Sequence, residues 1–290
     1  MIPAIDMYCY HRYFGEVYPG LEEDPGRRFT VDDVLARVQA LGLGGVSLES
    51  CFFADTGAPA VAALRRKLDD AGLQRVWAWG HPGGLQSGAD PQALADLVRH
   101  IGVARDLGAR VMRICCGGRR TRPDDWDTHR RQLLPMLREA AQEGERHGVV
   151  LAIENHIDLL ADELVELLET VASPALGVCL DTANNLRMLE DPVEVARTLA
   201  PWARATHVKD VAAYRGNPRT FAFWPSVPLG QGLVDLPTVL GLLHEAGYDG
   251  LLALEIDYLH PHHHRAPGDD ERAIAASIGY LRGLLGEQHD

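Results

Sequence analysis

Short apolar segments typical of β-strands alternate eight times with amphipathic segments typical of α-helices along the 290 residues of this chain. Such alternation predicts βα units around a parallel sheet, and eight units close a TIM barrel. Helix start signals agree, because Thr30, Asp90 and Asp191 stand as caps before helical segments. We therefore predict an α/β fold, a single (β/α)8 TIM-barrel domain over residues 1–290. The predicted strands lie near residues 2–6, 44–49, 74–79, 110–115, 149–154, 176–181, 204–208 and 251–255, and the predicted helices near residues 31–41, 57–71, 91–107, 127–147, 161–171, 192–200, 235–246 and 270–284.

Four of the predicted strands end in a side chain that binds divalent metals: Glu154, Asp181, His207 and Glu255. The carboxyl ends of barrel strands meet at one rim, where the active sites of TIM barrels are built. Alternate strand residues point to opposite faces, so each acidic candidate shares its face with small residues such as Ala152, which suit a crowded barrel interior. The shared face and the shared rim predict that the four side chains converge on one metal ion.

The types of these side chains indicate which metal they would hold. Two Glu, one Asp and one His make a mostly oxygen site, which suits Mn²⁺ first, with Mg²⁺, Co²⁺ or Zn²⁺ as alternatives. Such an ion can hold two oxygens of a hydroxy-ketone and stabilise the enediolate formed when a neighbouring C–H proton is removed. Carboxylates beside the metal can take and return that proton.

Composition and charge disfavour several classes of protein. Hydrophobic residues make up 46% and charged residues 24% of the chain, which is ordinary for a globular protein with a large core. The formal charge of −13 opposes binding to nucleic acid. No segment approaches the roughly 18 apolar residues of a membrane span, and Met1 is followed directly by strand-like sequence. We therefore predict a cytoplasmic protein with neither nucleic acid nor membrane as a partner.

Three strand-to-helix connections are long, at residues 9–29, 116–126 and 209–234. Long loops in a compact domain are usually functional or mobile. The third connection contains AYRGNPRTFAFW, whose aromatic residues could form a lid over the site or a contact between subunits. Both alternatives remain open from the sequence.

The segments ENH (154–156), LDTANN (180–185), THVKD (206–210) and LALEID (252–257) carry a family resemblance. Through them the chain resembles, over essentially its whole length, the sugar phosphate isomerase/epimerase family of xylose isomerase-like TIM barrels. The resemblance implies a metal-dependent isomerase or epimerase that acts on a sugar, keto-sugar or cyclitol by proton transfer through a cis-enediolate. It also implies a homo-oligomer, a dimer or a tetramer.

The resemblance further implies a role for each of the four strand-end residues. Glu154 and Glu255 would transfer the proton on opposite faces of the substrate, and Asp181 and His207 would bind only the metal. Many relatives have a His where this chain has Asn184, and Asn cannot shuttle a proton near neutral pH. A metal-dependent lyase, either a dehydratase or a β-eliminase on a keto-sugar, inosose or 3-keto-glycoside, is therefore the competing interpretation.

Seven other residues are candidates for the site because they stand at strand ends, follow a ligand by two or three positions, or lie in the third long loop. His156 is a candidate acid or substrate contact beside Glu154. The other six are predicted substrate contacts: Glu49, His81, Arg113, Asn184, Lys209 and Arg215.

The sequence disfavours two interpretations outside this chemistry. A three-zinc endonuclease acting on abasic DNA would require a His at position 184, and the net charge opposes it. A non-catalytic sugar sensor or accessory subunit would not require two opposed carboxylates at one metal. The sequence therefore favours an enzyme.

Overall fold

The computed structural model describes residues 1–266 and 268–286 and contains eight parallel strands that close into a barrel in chain order. Each strand pairs with its neighbours in sequence, and the last strand pairs with the first. This architecture confirms the predicted (β/α)8 TIM barrel. The strands are β1 Ile2–Asp6, β2 Gly45–Glu49, β3 Gln74–Ala78, β4 Val111–Ile114, β5 Val150–Glu154, β6 Leu176–Asp181, β7 Ala203–Val208 and β8 Leu251–Leu254.

Five of the eight described α-helices begin at a side chain that accepts a backbone N–H group. Thr30 forms a capping box with Asp33, and Asp125 accepts from the N–H of Thr128. Within the described residues no helix combines the length and the apolar character needed to cross a membrane. The helices are α1 Val31–Ala40, α2 Ala58–Asp70, α3 Pro91–Leu107, α4 Trp126–His147, α5 Ala161–Val171, α6 Pro192–Leu199, α7 Leu236–Glu245 and α8 Asp269–Leu285.

Side-chain parity separates the barrel interior from the layer below the helices. Leu151 and Ile153 of β5 belong to the main hydrophobic core. Ala152 belongs to a separate inner cluster of mostly small residues, together with Cys179 of β6 and Ala253 of β8. Because these inner residues are small, larger polar side chains at the strand ends have room to turn toward the barrel axis.

The first long connection begins with a 3-10 helix, Met7–Phe14, where the sequence analysis expected loop from residue 9 onward. Asp6 caps this helix by accepting a hydrogen bond from the N–H of Tyr8 at 2.6 Å. So short a helix offers little periodicity for recognition in a sequence. Its consequence for the site is that Asp6 is fixed at the end of β1.

Asp210 fixes both ends of the third long connection. Its carboxylate accepts hydrogen bonds from the backbone N–H groups of Val211, Gly230, Gly232 and Val234 at 2.8–3.1 Å. A Cβ atom on Gly232 would lie 2.1 Å from Asp210 Oδ1, so this close approach requires glycine. The base of the loop is therefore held in place, whereas its tip is half-exposed or exposed.

Candidate metal centre

Four buried side chains converge at the C-terminal rim of the barrel. Glu154 ends β5, Asp181 ends β6, His207 lies in β7, and Glu255 directly follows β8. One potential ligand atom from each lies within 4.8 Å of the other three. The structure therefore brings together the four residues that the sequence analysis assigned to a metal, and we call them the four-residue cluster. Their role as ligands stays a prediction.

The ring of His207 lies between carboxylates. Nδ1 lies 3.2 Å from Glu255 Oε2 and 3.7 Å from Glu154 Oε1. On the other side of the ring, Nε2 lies 3.4 Å from Oδ2 of the fully buried Asp6. Nδ1 therefore faces the cluster, and Asp6 is placed to orient the ring, as carboxylates commonly do behind metal-binding histidines.

The donor atoms of the cluster fit a divalent cation. Asp181 Oδ2, Glu255 Oε2 and His207 Nδ1 are buried and make no hydrogen bond of good geometry within the described chain. Buried polar atoms are normally satisfied, so the convergence of several unsatisfied ones indicates a place for a ligand. Carboxylate oxygens with a single imidazole are donors suited to Mn²⁺ and related divalent ions rather than to metals that prefer thiolates.

The charges around the cluster keep both glutamates ionised. Burial raises the pKa of Glu154, but His207 and Arg113 outweigh it and bring the pKa below its usual range. Burial likewise raises the pKa of Glu255, and here Lys209 and His207 outweigh it and hold the pKa well below its usual range. Both carboxylates are therefore available as metal ligands and as proton acceptors.

Lys209 holds three carboxylates together. Its Nζ atom lies 2.9 Å from Glu255 Oε2, 3.1 Å from Asp257 Oδ2 and 3.3 Å from Asp181 Oδ2. The contact with Asp257 is a hydrogen bond, whereas those with Glu255 and Asp181 are ion pairs without hydrogen-bond geometry. The structure places Lys209 at the cluster as an ion-paired side chain. Its predicted contact with substrate stays a prediction.

Two asparagines hold Asp181 and Glu154 in place without adding charge. Asn184 donates from its backbone N–H to Asp181 Oδ1 at 2.8 Å and from its side chain to Glu154 Oε1 at 2.9 Å. The side chain of Asn155 bonds to both the backbone N–H and the backbone C=O of Asp181 at 2.8 Å. Asn184 was a predicted site residue. Asn155 was missed, although it stands inside the ENH segment.

Arg113 links Glu49 to the cluster. Its Nη2 donates to Glu49 Oε1, and its Nε lies 3.5 Å from Glu154 Oε2, with all three residues buried. Burial raises the pKa of Glu49 to about 8, against the effect of Arg113. The structure places both predicted residues beside the cluster, and their contact with substrate stays a prediction.

The three remaining predicted site residues have other neighbours. His156 is half-buried, with Nδ1 3.3 Å from the carbonyl oxygen of Gly117. His81 stacks on Trp79 with the ring centroids 5.0 Å apart, and Arg215 is exposed in the third long loop. Across residues 1–266 and 268–286, no hydrogen bond or ion pair joins these side chains to the four-residue cluster.

Three further buried side chains at the site were missed: Asp6, Arg187 and Asp257. Asp6 could have been found, because it ends β1 in phase with Ala4, the same rule that selected the other strand ends. Asp257 could also have been found, because it follows Glu255 by two positions, as Lys209 follows His207. Arg187 lies in a 3-10 helix, Asn184–Met188, and neither strand parity nor helical periodicity identifies a residue in that position.

Comparisons with known proteins agree with this fold. The family model of xylose isomerase-like TIM barrels matches residues 35–284. A 3-oxo-isoapionate decarboxylase from Pectobacterium atrosepticum is 28% identical over 172 residues, which are 59% of this chain and 57% of that protein. A 2-epi-5-epi-valiolone 7-phosphate 2-epimerase from Actinoplanes is 36% identical over 144 residues, 49% of this chain and 50% of that protein. The chain thus spans little more than half the length of these two relatives.

A longer match and a solved structure extend the comparison. The rhizopine catabolism protein MocC of Rhizobium meliloti is 28% identical over 252 residues, 76% of this chain and 75% of that protein. A D-psicose 3-epimerase, solved in the presence of D-fructose, superposes with a TM-score of 0.74 over 99% of this chain and 100% of that one. At 16% identity, this structural likeness supports the fold alone.

Proposed function

The chain belongs to the family of xylose isomerase-like TIM barrels, and on this premise we propose that it is a divalent-metal-dependent isomerase or epimerase. The substrate class is a sugar, keto-sugar or cyclitol. The observation that carries the proposal is the four-residue cluster, in which two ionised, buried glutamates share one space with an Asp and a His. The family's sugar-modifying relatives, which include epimerases, are consistent with this chemistry.

Each residue of the cluster has a part in the proposed reaction. Glu154, Asp181, His207 and Glu255 would hold the ion, with Mn²⁺ our first choice and Mg²⁺, Co²⁺ or Zn²⁺ as alternatives. When bound, the ion would polarise the oxygens of a substrate hydroxy-ketone. One glutamate takes the proton from the carbon next to the carbonyl, and the other returns a proton from the opposite face.

The contacts around the two glutamates are consistent with these two proton-transfer roles. Glu154 is held by Asn184 and Arg113, and Glu255 is held by Lys209, so both are oriented before substrate arrives. Asn184 donates to Glu154 but cannot itself carry a proton near neutral pH. The proton transfer is therefore assigned to the glutamates alone.

A lyase is the second candidate, and Asn184 is the observation that favours it. A side chain that cannot relay a proton is compatible with a reaction in which the first proton transfer is followed by loss of a leaving group. One relative is by name a decarboxylase, so loss of carbon dioxide from a keto acid is included beside dehydration and β-elimination. The two candidates differ in product mass.

Incubation in D₂O with ketoses, inososes, keto acids and 3-keto-glycosides, with and without Mn²⁺, tests the proposal by mass spectrometry. An isomerase or epimerase gives metal-dependent uptake of one deuterium with otherwise unchanged composition. Loss of water, aglycone or carbon dioxide would assign the protein to the lyases. Turnover that is undiminished in metal-free protein would contradict both candidates.

Two variants test the role of each glutamate in the same deuterium-exchange experiment. Glu154→Gln and Glu255→Gln should each lower the exchange rate by about 100-fold or more, because each removes a proton-transfer group. The exposed Glu169 of α5 gives a matched control, and Glu169→Gln should leave the rate unchanged. Cytoplasmic location, the lid at residues 209–234 and a dimeric or tetrameric state stay predictions.

A further inference from the structure

Arg187 is a buried cation at the edge of the four-residue cluster. It lies in the 3-10 helix after β6, and its side chain is only 7% exposed. Nη1 donates to Asn184 Oδ1 at 3.3 Å, and Nη2 donates to Asp257 Oδ2 at 3.4 Å. Through Asn184, the guanidinium lies one side chain away from Glu154, the proposed proton-transfer residue.

The third long loop covers this guanidinium. The ring of Phe221 lies 4.8 Å from the central carbon of Arg187, a cation–π distance. Phe221 also packs against Tyr18 from the first long loop, with the centroids 4.6 Å apart. One face of the planar guanidinium is thus covered by an aromatic ring, and the N–H groups, which lie in the guanidinium plane, stay available to acceptors.

The carboxylates beside each cation separate Arg187 from Lys209 and Arg113. Lys209 has three N–H donors and three carboxylates within 3.3 Å. Arg113 has the carboxylates of Glu49 and Glu154 beside it, and Arg119 donates to the backbone oxygens of Arg187 and Arg219. Arg187 has five N–H donors and uses two of them in the hydrogen bonds that the described chain provides.

Asp257 does not fully neutralise the cations that it holds. Its Oδ2 atom is shared between Arg187 and Lys209, and its Oδ1 atom accepts from the hydroxyl of Ser226 at 2.5 Å. Burial of a guanidinium is costly unless an anion and hydrogen-bond acceptors accompany it. Because Arg187 shares the Asp257 carboxylate with Lys209, its guanidinium can pair with a second anion.

We propose that Arg187 binds an oxyanion of the substrate, a carboxylate or a phosphate, and so selects an anionic keto-sugar over a neutral one. The planar fork of a guanidinium matches the two oxygens of either group. This inference rests on the proposed function, because it names the substrate class of the same site.

Binding of three small molecules to the Mn²⁺-loaded protein, measured by calorimetry, tests the inference. 2-Keto-D-gluconate and D-fructose share the same ketohexose skeleton and differ at C1, where one has a carboxylate and the other a hydroxymethyl group. D-Fructose 6-phosphate supplies the phosphate. Wild-type protein should bind one of the two anions at least about 10-fold more tightly than D-fructose, and the identity of that anion distinguishes carboxylate from phosphate.

Substitution of Arg187 should remove that preference. Arg187→Gln should weaken binding of the preferred anion by about 10- to 100-fold and change D-fructose binding by less than about 3-fold. Arg187→Met keeps the apolar stem under Phe221 and gives the same result if the Gln variant does not fold. The exposed Arg138 of α4 is the matched control, and Arg138→Gln should bind as wild type does.

Two results would overturn the inference. One is wild-type protein that binds neither anion more tightly than D-fructose, and the other is an anion preference that survives in the Arg187 variants. Neither result would affect the proposed function, because metal-dependent deuterium exchange by a neutral ketose would still establish it. Conversely, anion binding without any exchange would support the role of Arg187 and contradict the proposed reaction.

Discussion

Asp6 Oδ2 lies 3.4 Å from His207 Nε2, so a carboxylate at the end of the first strand orients an imidazole on the seventh. Such a partner fixes the ring and raises its basicity as a metal ligand. We therefore expect Asp6→Asn to weaken Mn²⁺ binding by about 10- to 100-fold while leaving one site per chain. Equilibrium dialysis measures this, with Asp124→Asn, an exposed position, as the control. An Mn²⁺ affinity that is unchanged in Asp6→Asn would show that Asp6 does not support His207 as a metal ligand.

Metal affinity should rise with pH, because His207 must lose a proton to bind through Nδ1. Burial lowers the pKa of His207, but Cys179, Glu255 and Glu154 outweigh it and raise the pKa well above its usual value. Metal-free protein therefore holds this proton at neutral pH, and Mn²⁺ must displace it. We expect affinity to fall about tenfold for each pH unit below this pKa, with release of one proton per ion near pH 7.

Calorimetry of Mn²⁺ binding in two buffers of different ionisation enthalpy measures that proton directly. Burial also raises the pKa of Asp181 to about 6, so a second proton should appear below that pH and make the dependence steeper. Binding that is independent of pH between 6 and 8, with no proton released, would contradict the assignment of His207 as a ligand.

Asp158 is fully buried, and neither of its carboxylate oxygens has a hydrogen-bond partner in the described chain. Burial raises its pKa to about 6, against the effects of His156 and Arg122. A raised acid pKa means that the folded state holds the proton longer than the unfolded state. This contribution to stability is therefore largest below about pH 4 and is lost as the pH rises to about 6.

The variant Asp158→Asn should remove the loss of stability that accompanies ionisation of Asp158. We expect the free energy of unfolding at pH 8 to rise by about 1–3 kcal/mol relative to wild type, with little difference near pH 4. Chemical denaturation at the two pH values gives the comparison. A variant that is equally destabilised at both pH values would show that the charge of Asp158 is satisfied and stabilises the fold.

The contact between Asp210 and Gly232 predicts how the third long loop responds to substitution. Gly232→Ala would push Asp210 away and break several of its backbone hydrogen bonds, at a cost of about 2–4 kcal/mol. We expect faster limited proteolysis within residues 213–224 and a lower melting temperature. Gly241→Ala in α7 is the control, because its Cβ atom would meet no neighbour within 4 Å. Equal proteolysis rates in the two variants would exclude anchoring by Asp210.

The fold and the cluster could be predicted because both depend on regular periodicity. Strand parity placed Glu154 and Asp181 on the barrel interior, and alternation of strands with helices gave the closed barrel. The surroundings of the cluster follow no such period. Arg187 lies in a 3-10 helix, so its position depends on tertiary packing, whereas Asp257 follows Glu255 by two positions, the spacing that selected Lys209.

Arg215, which is exposed, is another residue whose position could not be predicted from periodicity in the sequence. Its place in a long loop suggested a substrate contact, but loop conformation is decided by anchors such as Asp210, whose four backbone partners are spread over residues 211–234. Asp6 is a different case. Glu49 was predicted because it ends β2 on the barrel interior. Asp6 ends β1 in the same way, so it could have been predicted from the sequence too.

Titration of Mn²⁺ followed by electron paramagnetic resonance tests the central claim, that Glu154, Asp181, His207 and Glu255 form one divalent-metal site. We predict that wild-type protein removes one equivalent of Mn²⁺ from solution. Asp181→Asn and His207→Gln should each bind at least about 100-fold more weakly, whereas His263→Gln, outside the cluster, should bind as wild type does. Wild-type protein that binds no Mn²⁺, or variants of Asp181 and His207 that bind it undiminished, would contradict the account.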